Sequence, residues 1–189
     1  NIFKNIWIQP AAGDAGGSLG AALAFWHIEL NKERISNNKD VMKGSYLGPS
    51  FSDEEIQKSL NNIGAKFELL DEDLLIEKTA DDLSKGNAIG WFQGRMEFGP
   101  RALGGRSIIG DPRSPNMQKN LNLKVKYRES FRPFAPSVLR EDVNEWFDLN
   151  SDSPYMLLVA DIKKEKQNQM SEDEKKLFGI DKLNVVRST

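Results

Sequence analysis

Between Gly90 and Gly110 the chain sets three arginines (Arg95, Arg101 and Arg106) and one carboxylate (Glu97) among Gly94, Gly99, Pro100, Gly104 and Gly105. A guanidinium is a planar fork that grips phosphate or carboxylate through two parallel hydrogen bonds. Glycines let main-chain N–H groups come close to the same anion. Together they suit a pocket for a phosphorylated ligand, with Arg101 and Arg106 as its cations and the Ser107 hydroxyl as a further contact. Glu97 has two readings of equal standing, a structural salt bridge to an arginine or a ligand contact.

A second constellation runs from Asn122 to Pro136. Lys124, Lys126 and Arg128 alternate with Leu123, Val125 and Tyr127. On a strand this period of two would place the three cations on one face, where like charges repel unless an anion sits among them. Arg132-Pro-Phe-Ala-Pro136 comes next as a stiff segment whose Phe134 can line a base or buttress the loop. A third is Pro10-Ala-Ala-Gly-Asp-Ala-Gly-Gly-Ser-Leu-Gly20, which reads as a glycine loop entering a helix. Such an entry can hold a phosphate, Asp14 can bind a hard cation, and a plain tight turn is the equal alternative.

The charge distribution supports an anion site. Residues 91–140 carry ten Lys and Arg against three acids, a local +7 in a chain whose net charge is −2. Seven of the nine arginines lie there, so the segment is a local field aimed at an anion; the bland alternative is a solvated basic face. The pI near 5.6 argues against coating of nucleic acid or of a membrane surface. With no cysteine there is neither a disulfide nor a thiolate nucleophile, which fits a reducing, cytoplasmic setting. The one histidine, His27, lies among Phe25, Trp26 and Ile28 and reads as structural. No apolar run approaches the roughly 20 residues of a membrane span.

The elements that position these residues alternate. Strands are expected at residues 6–9, 65–70, 88–92, 136–139 and 156–162. Helices are expected at residues 18–30, from a Ser52/Glu55 capping box to about 62, from an Asp71 cap to Gly86, after Ser114-Pro115, and at residues 141–147 and 171–178. This is an α/β pattern, with α+β as the alternative. The polar stretch 31–48 reads as a linker.

Taken together, residues 94–108, 122–136 and 10–22 resemble the NodU/CmcH-type O-carbamoyltransferases, a likeness that covers most of the chain. It implies that residues 1–30 are the C-terminal strand–loop–helix remnant of an actin/hexokinase-type, ATPase-like carbamoyl-transfer domain. Residues 49–189 are then a YrdC-like domain, an open twisted mixed sheet with flanking helices, truncated at its C-terminus. The implied chemistry is formation of carbamoyl adenylate from carbamoyl phosphate and ATP with Mg²⁺, then transfer of the carbamoyl group to an acceptor hydroxyl on a small molecule. By this resemblance Arg101, Arg106, Lys124 and Arg128 serve catalysis. Arg95, Ser107, Asn122, Lys126, Arg132 and Phe134 hold the substrates, with Phe134 near the adenine. Asp14 ligates a divalent metal, iron among the candidates, in the intact N-terminal domain. The metal-binding histidines would lie upstream and a His-Val-Asp-Gly run would come after Thr189. The expected behaviour of this piece is therefore binding of nucleotide or carbamoyl phosphate without complete transfer, with homo-oligomers possible and no membrane partner. A YrdC-like module that binds RNA or another nucleic acid is the competing reading.

Overall fold

The structure is a computed structural model that describes residues 4, 6–36, 39–183 and 185. The described chain is a set of short helices with one small antiparallel sheet, compatible with the α/β expectation. The helices are α1 (Asp14–Ala24), α2 (Asp53–Asn62), α3 (Glu72–Ser84), α4 (Met117–Asn120), α5 (Val143–Trp146), α6 (Glu172–Lys176) and α7 (Ile180–Leu183). The strands β1 (Ile89–Phe92) and β2 (Arg106–Ile109) pair with each other.

Local chemistry explains the helix starts. Ser52 Oγ accepts from the Glu55 amide and the Glu55 carboxylate accepts from the Ser52 amide, so α2 opens on the expected capping box. Asp71 accepts from the Leu74 amide at 2.9 Å and opens α3, which ends before Gly86 at φ +81°. Ser171 and Glu174 form a second box at α6. The first helix begins at Asp14, four residues earlier than its pattern suggests, and passes into a π-helical turn at Phe25–Glu29. His27 Nδ1 donates to the Lys32 carbonyl at 2.9 Å and closes that turn, a structural role.

Among the described residues three expected strands are absent. Residues 6–9, 65–70 and 136–139 form none, and 156–162 contributes one isolated bridge, Ile162 to Phe147. Apolar runs of this length lack the partner strand that would satisfy their main-chain groups. The segment after Ser114-Pro115 is helical from Met117, not from the proline.

The chain divides into two compact units. The first holds Asn1–Leu70, Gly90–Ser107 and Ser153–Leu157; the second holds Asp71–Ile89, Ile108–Asp152 and Leu158–Thr189. Among the described residues few apolar side chains are buried: Met42 in the first unit, Met117 and Leu121 in the second. Buried polar groups therefore carry much of each unit's internal order.

In the first unit, residues 40–49, most of which lie in the segment 31–48 read as a linker, are a seat for the glycine–arginine loop. Asp40 accepts from the Met42 and Gly44 amides, each at 3.0 Å, and from the Tyr155 hydroxyl. Burial, then the Asp40 bond, pushes the Tyr155 phenol up to about 12. A raised folded-state value means the stabilisation is complete below the ordinary value of 10.0 and is lost as pH rises toward 12. Tyr155→Phe should cost about 1 kcal/mol. It should also shrink the destabilisation seen between pH 10 and 12; equal alkaline loss in both proteins would contradict this clasp.

Candidate functional site

The residues proposed from sequence fall into both units. Asp14, Arg95, Arg101, Arg106 and Ser107 belong to the first; Asn122, Lys124, Lys126, Arg128, Arg132 and Phe134 belong to the second.

In the first unit the site is the loop from Gln93 to Gly105 that joins β1 to β2. The Gln93 amide donates to the Gly105 carbonyl at 2.9 Å, extending the ladder to the loop's base. The amides of Gly48, Met96 and Phe98 donate to Met96, Pro49 and Ser45 carbonyls and lace the loop to its seat. The Tyr46 hydroxyl donates to the Leu103 carbonyl at 2.5 Å, and Arg95 Nη1 to the Gly48 carbonyl at 2.6 Å. Sequence reasoning had no signal for Tyr46, because its partner lies 57 residues away.

Glu97 is the loop's interior. Its side chain is fully screened from solvent. One oxygen, Oε1, accepts from the Leu103 amide at 2.6 Å and from the Gly105 amide at 2.7 Å. The other, Oε2, lies 3.3 Å from Arg106 Nε, an ion pair out of line for a hydrogen bond. Of the two sequence readings, the structure takes the salt bridge. Burial pushes the carboxyl up, and main-chain N–H groups of Leu103, Glu97 itself, Gly105 and Arg106 outweigh it, so the group stays below the ordinary glutamate value. Arg106 also donates from Nη2 to the Gly99 carbonyl. Two glycines are required here. Gly104 sits at φ +112°. A Cβ at buried Gly105 would come within 2.8 Å of the Arg95 carbonyl.

Arg101 lies on this loop. It is exposed, and among the described residues no acceptor takes its guanidinium. Ser107 Oγ accepts from the Gly104 amide at 3.2 Å. The Pro10–Gly13 turn reaches the loop as well: a Cβ on Gly99 would lie 2.7 Å from Ala11 Cβ. Asp14, the first residue of α1, is exposed. A shallow cleft of about 280 Å³ nearby is lined by Ser18, Leu19, Leu47 and Phe98 and lacks cations.

In the second unit residues 122–128 are not a strand, so the condition under which the three cations would share one face is not met. Residues 121–125 are a π-helical turn continuing α4. Met117 and Leu121, four apart, both turn inward, where a Cβ on Gly110 would meet Met117 Sδ at 2.8 Å and Leu121 Cδ1 at 3.2 Å. That helical spacing outweighs the period-two alternation of Leu123 and Val125, so the single-face alignment of Lys124, Lys126 and Arg128 fails. Lys124 and Lys126 are exposed and take no partner among the described residues.

Asn122 organises the turn beyond it. It is completely buried. Its Nδ2 donates to the Ser130 carbonyl at 3.0 Å and the Arg132 carbonyl at 2.8 Å, and its Oδ1 accepts from Arg128 Nε at 2.6 Å. The Arg128 guanidinium lies 4.9 Å from the centre of the Phe134 ring. Arg132 Nε pairs with Glu129 at 2.9 Å. Asn122, Arg128, Arg132 and Phe134 are thus one cluster, with Lys124 and Lys126 exposed on the same turn. Its chemistry is that of an ordered cationic loop, able to receive an anion without first paying to arrange its side chains.

No group of three or more His, Asp or Glu side chains able to hold a metal ion gathers among the described residues. The donors present therefore do not fit a metal around Asp14 by themselves.

Both loops lie within the region that matches a known family. The family model described as carbamoyltransferase C-terminus matches residues 80–174. An uncharacterized protein of Synechocystis, sll1178, is 58% identical over 98% of this chain and 31% of its own length. Nodulation protein NolNO of Sinorhizobium fredii is 43% identical over 88% of this chain and 25% of its own. An uncharacterized protein of Methanocaldococcus jannaschii, MJ1058, is 40% identical over 86% and 27%. The chain thus spans between a quarter and a third of the length of these relatives. The matched region runs from α3 through the glycine–arginine loop and the Asn122 cluster to α6, over half of the sequence, and the chain belongs to the carbamoyltransferase C-terminus family.

Proposed function

We propose that this chain is the carbamoyl-phosphate- and nucleotide-binding part of an O-carbamoyltransferase. One carbamoyl phosphate, one ATP and one water give carbamoyl adenylate, orthophosphate and pyrophosphate: water releases carbamate from phosphate, and a carbamate oxygen attacks the α-phosphorus of ATP. The carbamoyl group then passes to an acceptor hydroxyl bound elsewhere in the parent polypeptide. The observation that carries this reading is the family match over the two ordered loops that present Arg101, Lys124 and Lys126 to solvent.

The physics is consistent with it. Both substrates of the first step are polyanions that repel each other. Fixed cations hold them together and stabilise charge developing on phosphorus. In this reading Arg101 of the first unit contacts phosphate, as do Lys124, Lys126 and Arg132 of the second; Arg128 and Phe134 flank the nucleotide, and Arg95, Ser107 and Asn122 each support the loop that carries them. Mg²⁺ arrives with ATP. Among the described residues the donor set around Asp14 does not by itself complete a metal site.

Calorimetric titration with ATP–Mg²⁺ and with carbamoyl phosphate tests this. Wild type should bind at about 1 mM or tighter, and Arg101→Ala and Lys124→Ala should each lose about tenfold or more. Absence of binding in wild type, with RNA bound on a steep salt dependence instead, would replace the enzyme reading by the nucleic-acid one.

A further inference from the structure

Glu97 and Arg106 face each other inside the loop that carries Arg101. The Glu97 side chain is wholly screened, and Arg106 is two-thirds covered. Each reaches a different part of the loop: Glu97 gathers the amides of Leu103 and Gly105, while Arg106 binds back to the Gly99 carbonyl. Arg106 is thus held within the loop at two points, by a hydrogen bond from Nη2 to the Gly99 carbonyl and by the ion pair of Nε with Glu97. Among the described residues nothing comparable engages Arg101, which lies in sequence between the two anchored ends.

We propose that Glu97 and Arg106 are positioning residues: a buried strut that closes residues 99–106 into a fixed ring and aims Arg101 at the anion, with Arg106 making no contact to the anion itself. This inference rests on the anion-pocket reading above. It divides between two arginines a role that their spacing alone would give to both. The strut is a carboxylate because a single oxygen can accept two convergent amides while the other meets a guanidinium. It is buried because an arginine shielded from water holds its geometry better than one free to exchange partners with solvent.

Rescue separates positioning from contact. Arg106→Gln leaves the Glu97 charge buried without its counter-ion, and should weaken carbamoyl phosphate binding about tenfold and lower the unfolding midpoint by about 5 °C. Adding Glu97→Gln removes the orphaned charge and restores an amide pair of similar reach. The double variant should therefore recover most of both losses relative to Arg106→Gln. Recovery of the unfolding midpoint without recovery of binding would mean that Arg106 touches the anion, and would overturn the proposal.

Hydrogen exchange in the wild-type chain serves if the variants do not fold. The Leu103 and Gly105 amides should be protected about hundredfold over that of Ala102, and equal exchange at all three would overturn the strut. A wild-type chain that binds neither carbamoyl phosphate nor ATP would sink the adenylation reading while leaving exchange to decide the strut.

Discussion

Glu97→Ala is expected to destabilise the protein by about 3 kcal/mol, because removing one member of a shielded pair strands the other and leaves two amides without an acceptor. For a domain of this size that corresponds to a fall of about 6–12 °C in the unfolding midpoint. The same carboxylate should govern the acid limb of stability. Its folded-state pKa is held below the ordinary 4.5. A depressed value gives stabilisation that is complete above the unfolded value and lost as pH falls through the folded one. Wild type should therefore weaken below about pH 4.5, and Glu97→Gln should flatten that slope. Urea unfolding at a series of pH values reads both effects. Superimposable acid limbs for wild type and Glu97→Gln would show that the carboxylate does not hold the loop.

Asn122→Ala is expected to cost a similar amount, about 3 kcal/mol. The amide makes two donor bonds to carbonyls eight and ten residues ahead and accepts one charged bond from Arg128. Alanine leaves the Ser130 and Arg132 carbonyls unpaired, opens a cavity at a completely buried position, and frees Arg128 from one of its two supports. Asn122→Asp is the sharper test. It keeps the acceptor for Arg128 but sets an anion against two carbonyl oxygens, so it should be at least as damaging as alanine. Denaturant midpoints of the three proteins decide the matter; an Asp variant as stable as wild type would mean the side chain does not donate to those carbonyls. The local backbone gives a further reason to expect a large effect. Tyr127, within the ring that Asn122 closes, sits at φ +49°, a conformation costly for a bulky residue and one that persists only when its surroundings enforce it.

A good part of this was legible in the amino-acid order. The capping box at Ser52 carries its own geometry within four residues, as does the Asp71 cap. The glycine–arginine run between apolar segments marks a loop suited to an anion, and its motif places the chain in its family. The sequence also located Asn122, Arg128 and Phe134 in one segment, since all three lie within thirteen positions of one another.

The features the sequence left undecided depend on distant partners. Whether Glu97 serves an arginine or a ligand turns on burial, which the loop's folding over its own carboxylate creates. Arg101 and Arg106 look alike in the sequence, and only the close approach of Gly99 and Glu97 to one of them separates their roles. The alternation from Leu123 to Tyr127 would align the cations only on a strand, and the alternation alone does not make one. Met117 and Leu121 settle it by packing against Gly110, a contact that needs the chain to double back. Likewise, residues 40–48 read as part of a polar linker until Tyr46 and Ser45 meet the loop some fifty residues away. Local hydrogen-bond grammar is written in neighbouring residues; the pairing of a buried charge is written only in tertiary structure, because its energy depends on which groups exclude water from it.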